Sequence, residues 1–294
     1  MLASAARDRD IPATRGSRSR KQNAMATKAP ARSKPATPAK PAKAAKPAAA
    51  RLTLDEAMAA LEAAGSEQTR KTYARHGVEI PMFGVSFATL KTLLKRIKVD
   101  HELALALWLT GNFDARNLAV KVVDPARMTP ADLDRWALDP TARMCGSYVA
   151  YVAAEGPHAH ACVERWLGAA SEHQRTIGWK LVAALAMKDE SLDDAWFLSH
   201  LATIERGIGA APNAIRDAMN QTVIAIGCRN PALRKAATAA ATRIGKVEID
   251  HGDTACKTPV AVDSIAKAWD HAAAKQAASP AAQERARESM RTRC

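Results

Sequence analysis

From Thr53 onward the chain is punctuated by helix starts and stops, and it offers almost nothing from which to build a sheet. Thr53-Leu-Asp-Glu56 has capping-box spacing, in which a hydroxyl and a carboxylate satisfy the free amides of a first helical turn. Ser86, Thr129 and Ser191 stand where further N-caps belong, and Pro130 and Pro212 suit first-turn positions. Gly65, Gly77, Gly111, Gly168 and Gly227 each follow an apolar run of helical period, where a helix end favours a left-handed residue. No stretch alternates with period two for long; the short Val247–Asp250 piece is the one strand candidate. The expected fold class is all-α.

The helices also repeat. Leu105 to Gly111, with Trp108 inside it, leads through a short loop to Arg116-Asn-Leu-Ala-Val. Some 58 residues later Cys162 to Gly168, with Trp166 inside it, leads to Arg175-Thr-Ile-Gly-Trp-Lys. A weaker third copy places Ile215-Arg216 early in another apolar helix. Helix, tight turn, and a second helix with an Arg in its first turns describes a unit that stacks into an α-solenoid.

Charge decides which partners to consider. The formal net charge is +13. Residues 1–50 hold 12 Lys/Arg against 2 Asp, and residues 51–294 hold 31 basic against 28 acidic side chains, so the excess belongs mostly to the first segment. That segment is Ala, Pro, Lys, Arg, Ser and Thr with little to bury, and is expected to be a disordered basic tail. Such an arm binds phosphate nonspecifically by counterion release, or serves only to solubilise, and Met25 is an alternative start. Residues 51–275 are expected to form the folded domain and 276–294 a helical or disordered extension. No run reaches the roughly 20 apolar residues of a membrane span. Five scattered cysteines suit reduced thiols in the cytoplasm better than a disulfide framework.

The recurring Arg is the most informative candidate for binding. Arg116, Arg175 and Arg216 fall near helix N-termini, where free amides and the helix dipole already favour an anion. With Lys121 and Lys180 they form a candidate track for a phosphate backbone. The alternative is that each Arg pairs with an acid on a neighbouring helix, such as Asp114 or Glu172. His158, His160 and Cys162 do not converge as metal ligands, because residues two apart on a helix point about 200° apart. Cys256 beside Lys257 reads as a loop thiol. Trp108, Trp166 and Trp179 read as core, whereas Trp136, after Asp132 and Asp134, is a candidate surface aromatic. No P-loop, dinucleotide fingerprint or nucleophile elbow is present, and no metal or small-molecule cofactor is expected.

Several stretches then point to one family. Tyr73-Ala-Arg-His-Gly77, Phe83-Gly-Val85, Leu105-Ala-Leu-Trp108 with Phe113-Asp-Ala-Arg116, Gln174-Arg-Thr176, Arg216-Asp-Ala-Met-Asn220 and Asp253-Thr-Ala-Cys-Lys257 resemble, in order and spacing, bacterial DNA alkylation repair proteins. The resemblance covers roughly residues 54–272. It implies a HEAT-like-repeat solenoid of antiparallel helix pairs with a concave basic face, partnered by duplex DNA that is alkylated or branched, in the bacterial nucleoid. Catalytic members of that family are monofunctional glycosylases that excise N3- and N7-alkylated purines. There, aromatic side chains contact the deoxyribose and a carboxylate stabilises the charge developing on the sugar. At the matching positions this chain has Ala142 to Gly146 in place of a Trp-Asp-x-x-Asp segment, and Gln221 in place of a later Trp. Arg175 matches the family's Arg, and Trp136 and Asp139, upstream, are substitute catalytic candidates. The alternative is a noncatalytic relative that binds DNA structure and has lost the glycosylase residues.

Overall fold

The computed structural model describes residues 51–139, 146–287 and 289–292, all helices, turns and loops, with no strand among them. The basic segment 1–50 and the Ala142–Cys145 departure lie outside the described residues. The described residues belong to one unit, Ala49–Cys294.

The first helix, α1 (Leu54–Ala63), starts at the expected box: Glu56 N–H donates to Thr53 Oγ1 (3.2 Å) and Thr53 N–H to Glu56 Oε2 (2.9 Å). Helix α2 (Glu67–Arg75) is capped by Ser66 and α3 (Phe87–Ile97) by Ser86. Asp100 caps α4 (His101–Leu109), and Asn112 caps α5 (Phe113–Val122). Thr129 and Asp132 form a second capping box on α6 (Pro130–Leu138), with Pro130 in the first turn as its missing N–H permits. Helices α7 (Gly146–Ala154), α8 (Ala159–Leu167) and α9 (Glu172–Lys188) follow. Next come α10 (Asp194–Gly207), α11 (Asn213–Gly227) and α12 (Pro231–Ile244), then α13 (Ala261–Ala274) and the short α14 (Pro280–Arg285).

Three local expectations are corrected. Asp193, not Ser191, caps α10; Ser191 instead turns back onto the Asp189 carboxylate. Pro212 is the residue before α11, not within its first turn. Of the five stop glycines, Gly77 (φ 78°) and Gly111 (φ 72°) take the left-handed conformation. Gly168 stays right-handed and Gly227 is the last residue of α11. Val247–Asp250 forms no strand.

Packing sorts the helices into two layers. α3, α5, α7, α9, α11 and α13 follow one another in one layer, each in contact with the next. α1, α4, α6, α8, α10 and α12 line up in the other, joined by α1–α4, α6–α8 and α10–α12 contacts and by the Trp108–Trp136 stack between α4 and α6. Each repeat is thus one helix from each layer, as in α4–α5 and α8–α9. A helix in the first layer meets neighbours on both sides and its partner behind. All ten residues of α5 are buried for that reason, as are Thr176 to Trp179, Leu181, Val182 and Ala184 to Ala186 of α9. Small residues permit the approach: a Cβ on Gly178 would stand 3.1 Å from the Leu167 backbone nitrogen of α8.

A buried carboxylate ties the first helices to the array. Asp114, fully buried on α5, accepts N–H groups from Phe83 (2.7 Å), Gly84 (3.0 Å) and Val85 (2.9 Å). Sequence offered Asp114 as an acid partner for an Arg on a neighbouring helix; the partners found for it are backbone amides. Asp114→Ala leaves three buried or half-buried donors without their acceptor and is expected to lower unfolding free energy by roughly 2–4 kcal/mol. Denaturant unfolding checks this, and a loss below about 1 kcal/mol would remove the anchor role.

Candidate nucleic-acid interface

The recurring arginines occupy equivalent places: each is the fourth residue of its helix, its N–H bonded to the carbonyl of the residue preceding that helix. Their guanidinium groups fold back onto carbonyls at or just past the end of the preceding helix. Arg116 Nε donates to Trp108 O (3.2 Å). Arg175 Nη1 donates to Ala169 O (2.7 Å) and Ala170 O (2.8 Å). Arg216 Nη2 donates to Ala211 O (2.8 Å), and its Nη1 to Glu248 O (3.2 Å). Carbonyls at a helix end lack intrahelical donors and carry the negative end of the dipole, so an Arg at this register closes each repeat. The recurrence has a structural cause.

Two residues of the proposed phosphate track are buried. Arg116 is buried at 9% exposure; its Nη2 pairs with Asp139 Oδ2 (2.5 Å) and its guanidinium lies 5.1 Å from the Trp108 ring centre. Lys121 is fully buried, its ammonium 4.0 Å from the Tyr148 ring centre and donating to Arg291 O (3.1 Å). Both charges are enclosed among the described residues. Arg175 and Arg216 are half-buried and hold the carbonyls just named. Lys180 is half-buried and lines an open cleft.

The candidate catalytic pair is also placed. Trp136 is 1% exposed and stacks on Trp108 at 4.3 Å, so the surface-aromatic reading is overturned: its ring belongs to the contact between α4 and α6. Asp139, at the end of α6, has most of its side chain enclosed and paired with Arg116. Of the two candidates, the aromatic is part of a tryptophan stack and the acid is part of an ion pair with Arg116, whose guanidinium lies against Trp108. Gln221 is exposed on α11.

The cleft containing Lys180 has a volume of about 720 Å³. Arg75, His76 and Gly77 at the end of α2, Glu172, His173 and Lys180 on α9, Asn213 and Asp217 on α11, and the 249–256 loop line it. Two motifs from opposite ends of the chain, Tyr73 to Gly77 and Asp253 to Lys257, thus converge on one feature. Asn213 holds the loop by donating to Asp250 O (2.8 Å) and accepting from Asp250 N (2.9 Å). Sequence reading missed the three cleft histidines, because nothing in spacing relates positions so far apart.

The remaining candidates resolve as structure. His160 lies 3.4 Å from the Asp189 carboxylate, while Cys162 is buried beside Arg165. Burial pushes the thiols of Cys162 and Cys228 up to about 11. Arg229, not singled out from sequence, donates to Ala186 O (3.2 Å), Asp189 O (2.6 Å) and Leu192 O (2.7 Å), closing the end of α9 in the way its sequence-predicted counterparts close theirs. No group of three or more His, Cys, Asp or Glu that could hold a metal occurs among the described residues. No described helix is long and apolar enough to cross a membrane.

Stacked helix pairs with an Arg closing each repeat define a HEAT-like helical-repeat protein. The DNA alkylation repair enzyme family matches residues 57–259, and the chain belongs to that family. It is similar to an uncharacterized protein of Listeria innocua serovar 6a, 26% identical over 223 residues, covering 74% of this chain and 97% of that one. An uncharacterized protein of Listeria monocytogenes serovar 1/2a matches at the same identity and coverage. A solved structure superposes with a TM-score of 0.67 at 28% identity, covering 75% of this chain and 95% of that one. It is described as from a new family of proteins related to the HEAT-like repeat DNA glycosylases with affinity for branched DNA structures.

Two outcomes follow from this geometry. Arg175→Gln removes the donor to Ala169 and Ala170 and is expected to cost roughly 1–3 kcal/mol of stability without any DNA present, measured by chemical denaturation. A variant as stable as the parent would return Arg175 to a purely ligand-binding role. Thiol labelling of the native protein near pH 8, mapped by mass spectrometry, is expected to modify exposed Cys256 and spare Cys162 and Cys228 until denaturant is added. Native-state labelling of Cys162 would contradict its burial.

Proposed function

We propose that this chain binds branched DNA through the α9–α11 face and does not excise bases. The observation that carries the second half is the state of Trp136 and Asp139. Excision of an alkylated purine needs an aromatic against the sugar and a carboxylate whose negative charge faces the developing cation. Trp136 is buried against Trp108, and the Asp139 charge is already matched by Arg116. An acid held by a guanidinium has little field left for a substrate.

DNA binding is supported by membership of the family and by the affinity for branched DNA described for the structural relative. Backbone recognition asks only for cations and amides along a surface, so it survives loss of the catalytic residues. Lys180, Arg75, and the partly exposed Arg175 and Arg216 are the side chains on or near that face that we assign to phosphate contact. The basic segment 1–50 adds a sequence-independent, salt-sensitive component to the affinity.

The test uses the full chain. Labelled four-way junction is expected to bind more tightly than linear duplex of equal length at moderate salt, and raising salt is expected to weaken both. Duplex carrying 7-methylguanine or 3-methyladenine is expected to release no base above the protein-free control. Equal affinity for junction and duplex would sink the branched-DNA reading. Enzyme-like base release, abolished by Asp139→Asn, would establish the glycosylase reading instead.

A further inference from the structure

Helix α3 is basic in a body whose charges otherwise nearly balance. Residues 80–99 contain no acid, and Lys91, Lys95, Arg96 and Lys98 fall within that stretch. Positions 91, 95 and 98 are spaced four and three apart, which places them on one face of a helix. The opposite face is the core-facing one: Leu90 is buried, and Phe87, Leu94 and Ile97 pack against the core. All three lysines are exposed, and none has an ion-pair or hydrogen-bond partner among the described residues. Residues 140–145, outside the described residues, hold no acid either. Arg96 stands apart from the three, near enough to Glu56 of α1 to favour that carboxylate's charged form.

An acid-free run does not by itself leave cations unengaged. Residues 218–247 also lack acids, yet there Arg229 holds carbonyls at the end of α9, Arg234 lies over the Trp269 ring and Arg243 pairs with Glu205. The helix dipole favours a cation in the last turn, which accounts for Lys95, but that effect does not extend a further turn to Lys91. Lys98 is the C-cap of α3 with φ 64°, a conformation glycine takes without steric cost and a side chain resists. Like charges at this spacing repel one another, so the face gains from an anion laid along it.

We propose that Lys91, Lys95 and Lys98 form a phosphate-binding ridge, a second contact with the DNA backbone separate from the α9–α11 face. This rests on the reading that the chain binds DNA, and it adds a foothold to that reading. At 1.5 Å per residue the ridge is about 10 Å long, the axial length of about three nucleotides of one strand. Lysine ammonium groups meet phosphates as point charges and read no bases, so the ridge is indifferent to sequence and to branching. α3 begins the layer that holds α9 and α11, three helix steps from α9, or roughly 25–30 Å at ordinary packing distances. The two contacts therefore engage different stretches of backbone. A bilayer surface is the poorer fit, because a helix lying on lipid buries its apolar face there. The apolar face of α3 is spent on the core, and Val99 is the exposed large apolar residue beside the lysines.

Affinity of the full chain for labelled four-way junction and for linear duplex is to be measured across a salt series. Lys91→Gln/Lys95→Gln/Lys98→Gln keeps good helix formers at all three positions. It is expected to make the slope of log affinity against log salt shallower by about two to three on both DNAs. At about 100 mM salt its affinity is expected to fall about ten-fold or more. The charge-matched control Lys71→Gln/Lys235→Gln/Lys275→Gln, at exposed positions elsewhere, is expected to change the slope by less than about one. The basic segment 1–50 is present in every protein compared, so it cancels from the difference. Circular dichroism monitors folding; should the triple variant not fold, Lys91→Gln alone carries the test, with a slope shallower by about one. A folded triple variant with the parent's slope, or an equal loss in the control, overturns the ridge while leaving DNA binding intact. If the parent's slope is kept but binding to phosphatidylglycerol vesicles is lost, the ridge is a membrane contact instead. No binding of either DNA by the parent at low salt overturns the ridge and the DNA-binding reading together.

Discussion

The carbonyl groups at the end of an α-helix have no donor within the helix, and a helical repeat buries such an end at every turn between paired helices. In this protein guanidinium groups take them. Arg116 closes the end of α4, Arg175 the end of α8, Arg216 the turn before α11 and Arg229 the end of α9. Arg291, from the last turn of the described chain, donates to Val120 O (3.3 Å) and Lys121 O (2.5 Å) at the end of α5. Arginine fits this task because its planar fork reaches two carbonyls at once and its charge opposes the negative end of the helix dipole. Successive repeats can stack only because these ends are satisfied.

The same constraint shapes the electrostatics. Charges that look available in the sequence are enclosed where the layers meet. Lys121 points between aromatic rings toward the carboxy-terminal segment, and Arg291 pairs there with Glu155 (2.8 Å). Asp139 neutralises Arg116. What remains on the face formed by α9 and α11 is a mixed population of cations, carboxylates and histidines rather than a uniformly basic surface. A family whose members act on DNA can diverge in chemistry on such a scaffold, because the repeats hold together through backbone carbonyls and apolar contacts that do not depend on the reactive residues.

Much of the architecture was legible in the sequence. The box at Thr53, the caps at Ser86 and Thr129 and the Arg register are local signals, set by hydrogen bonds within a few residues. Ser191 was read as the cap of α10, but it bonds the Asp189 carboxylate and Asp193, two residues on, takes the cap. The candidate site was legible in part. Trp136 and Asp139 were singled out together, but neither the pairing of Asp139 with Arg116 nor the burial of Trp136 could be read, since both depend on α4 and α5 lying against α6.

The sequence by itself determined that this chain is a stack of helices with an arginine at a fixed register, because capping and periodicity act over one or two turns. Only the tertiary structure decided what those arginines do. Whether a guanidinium meets a phosphate or a carbonyl depends on where the preceding helix ends in space. Whether three histidines share one cleft depends on residues 76, 173 and 251 being brought together by layers that no local pattern encodes.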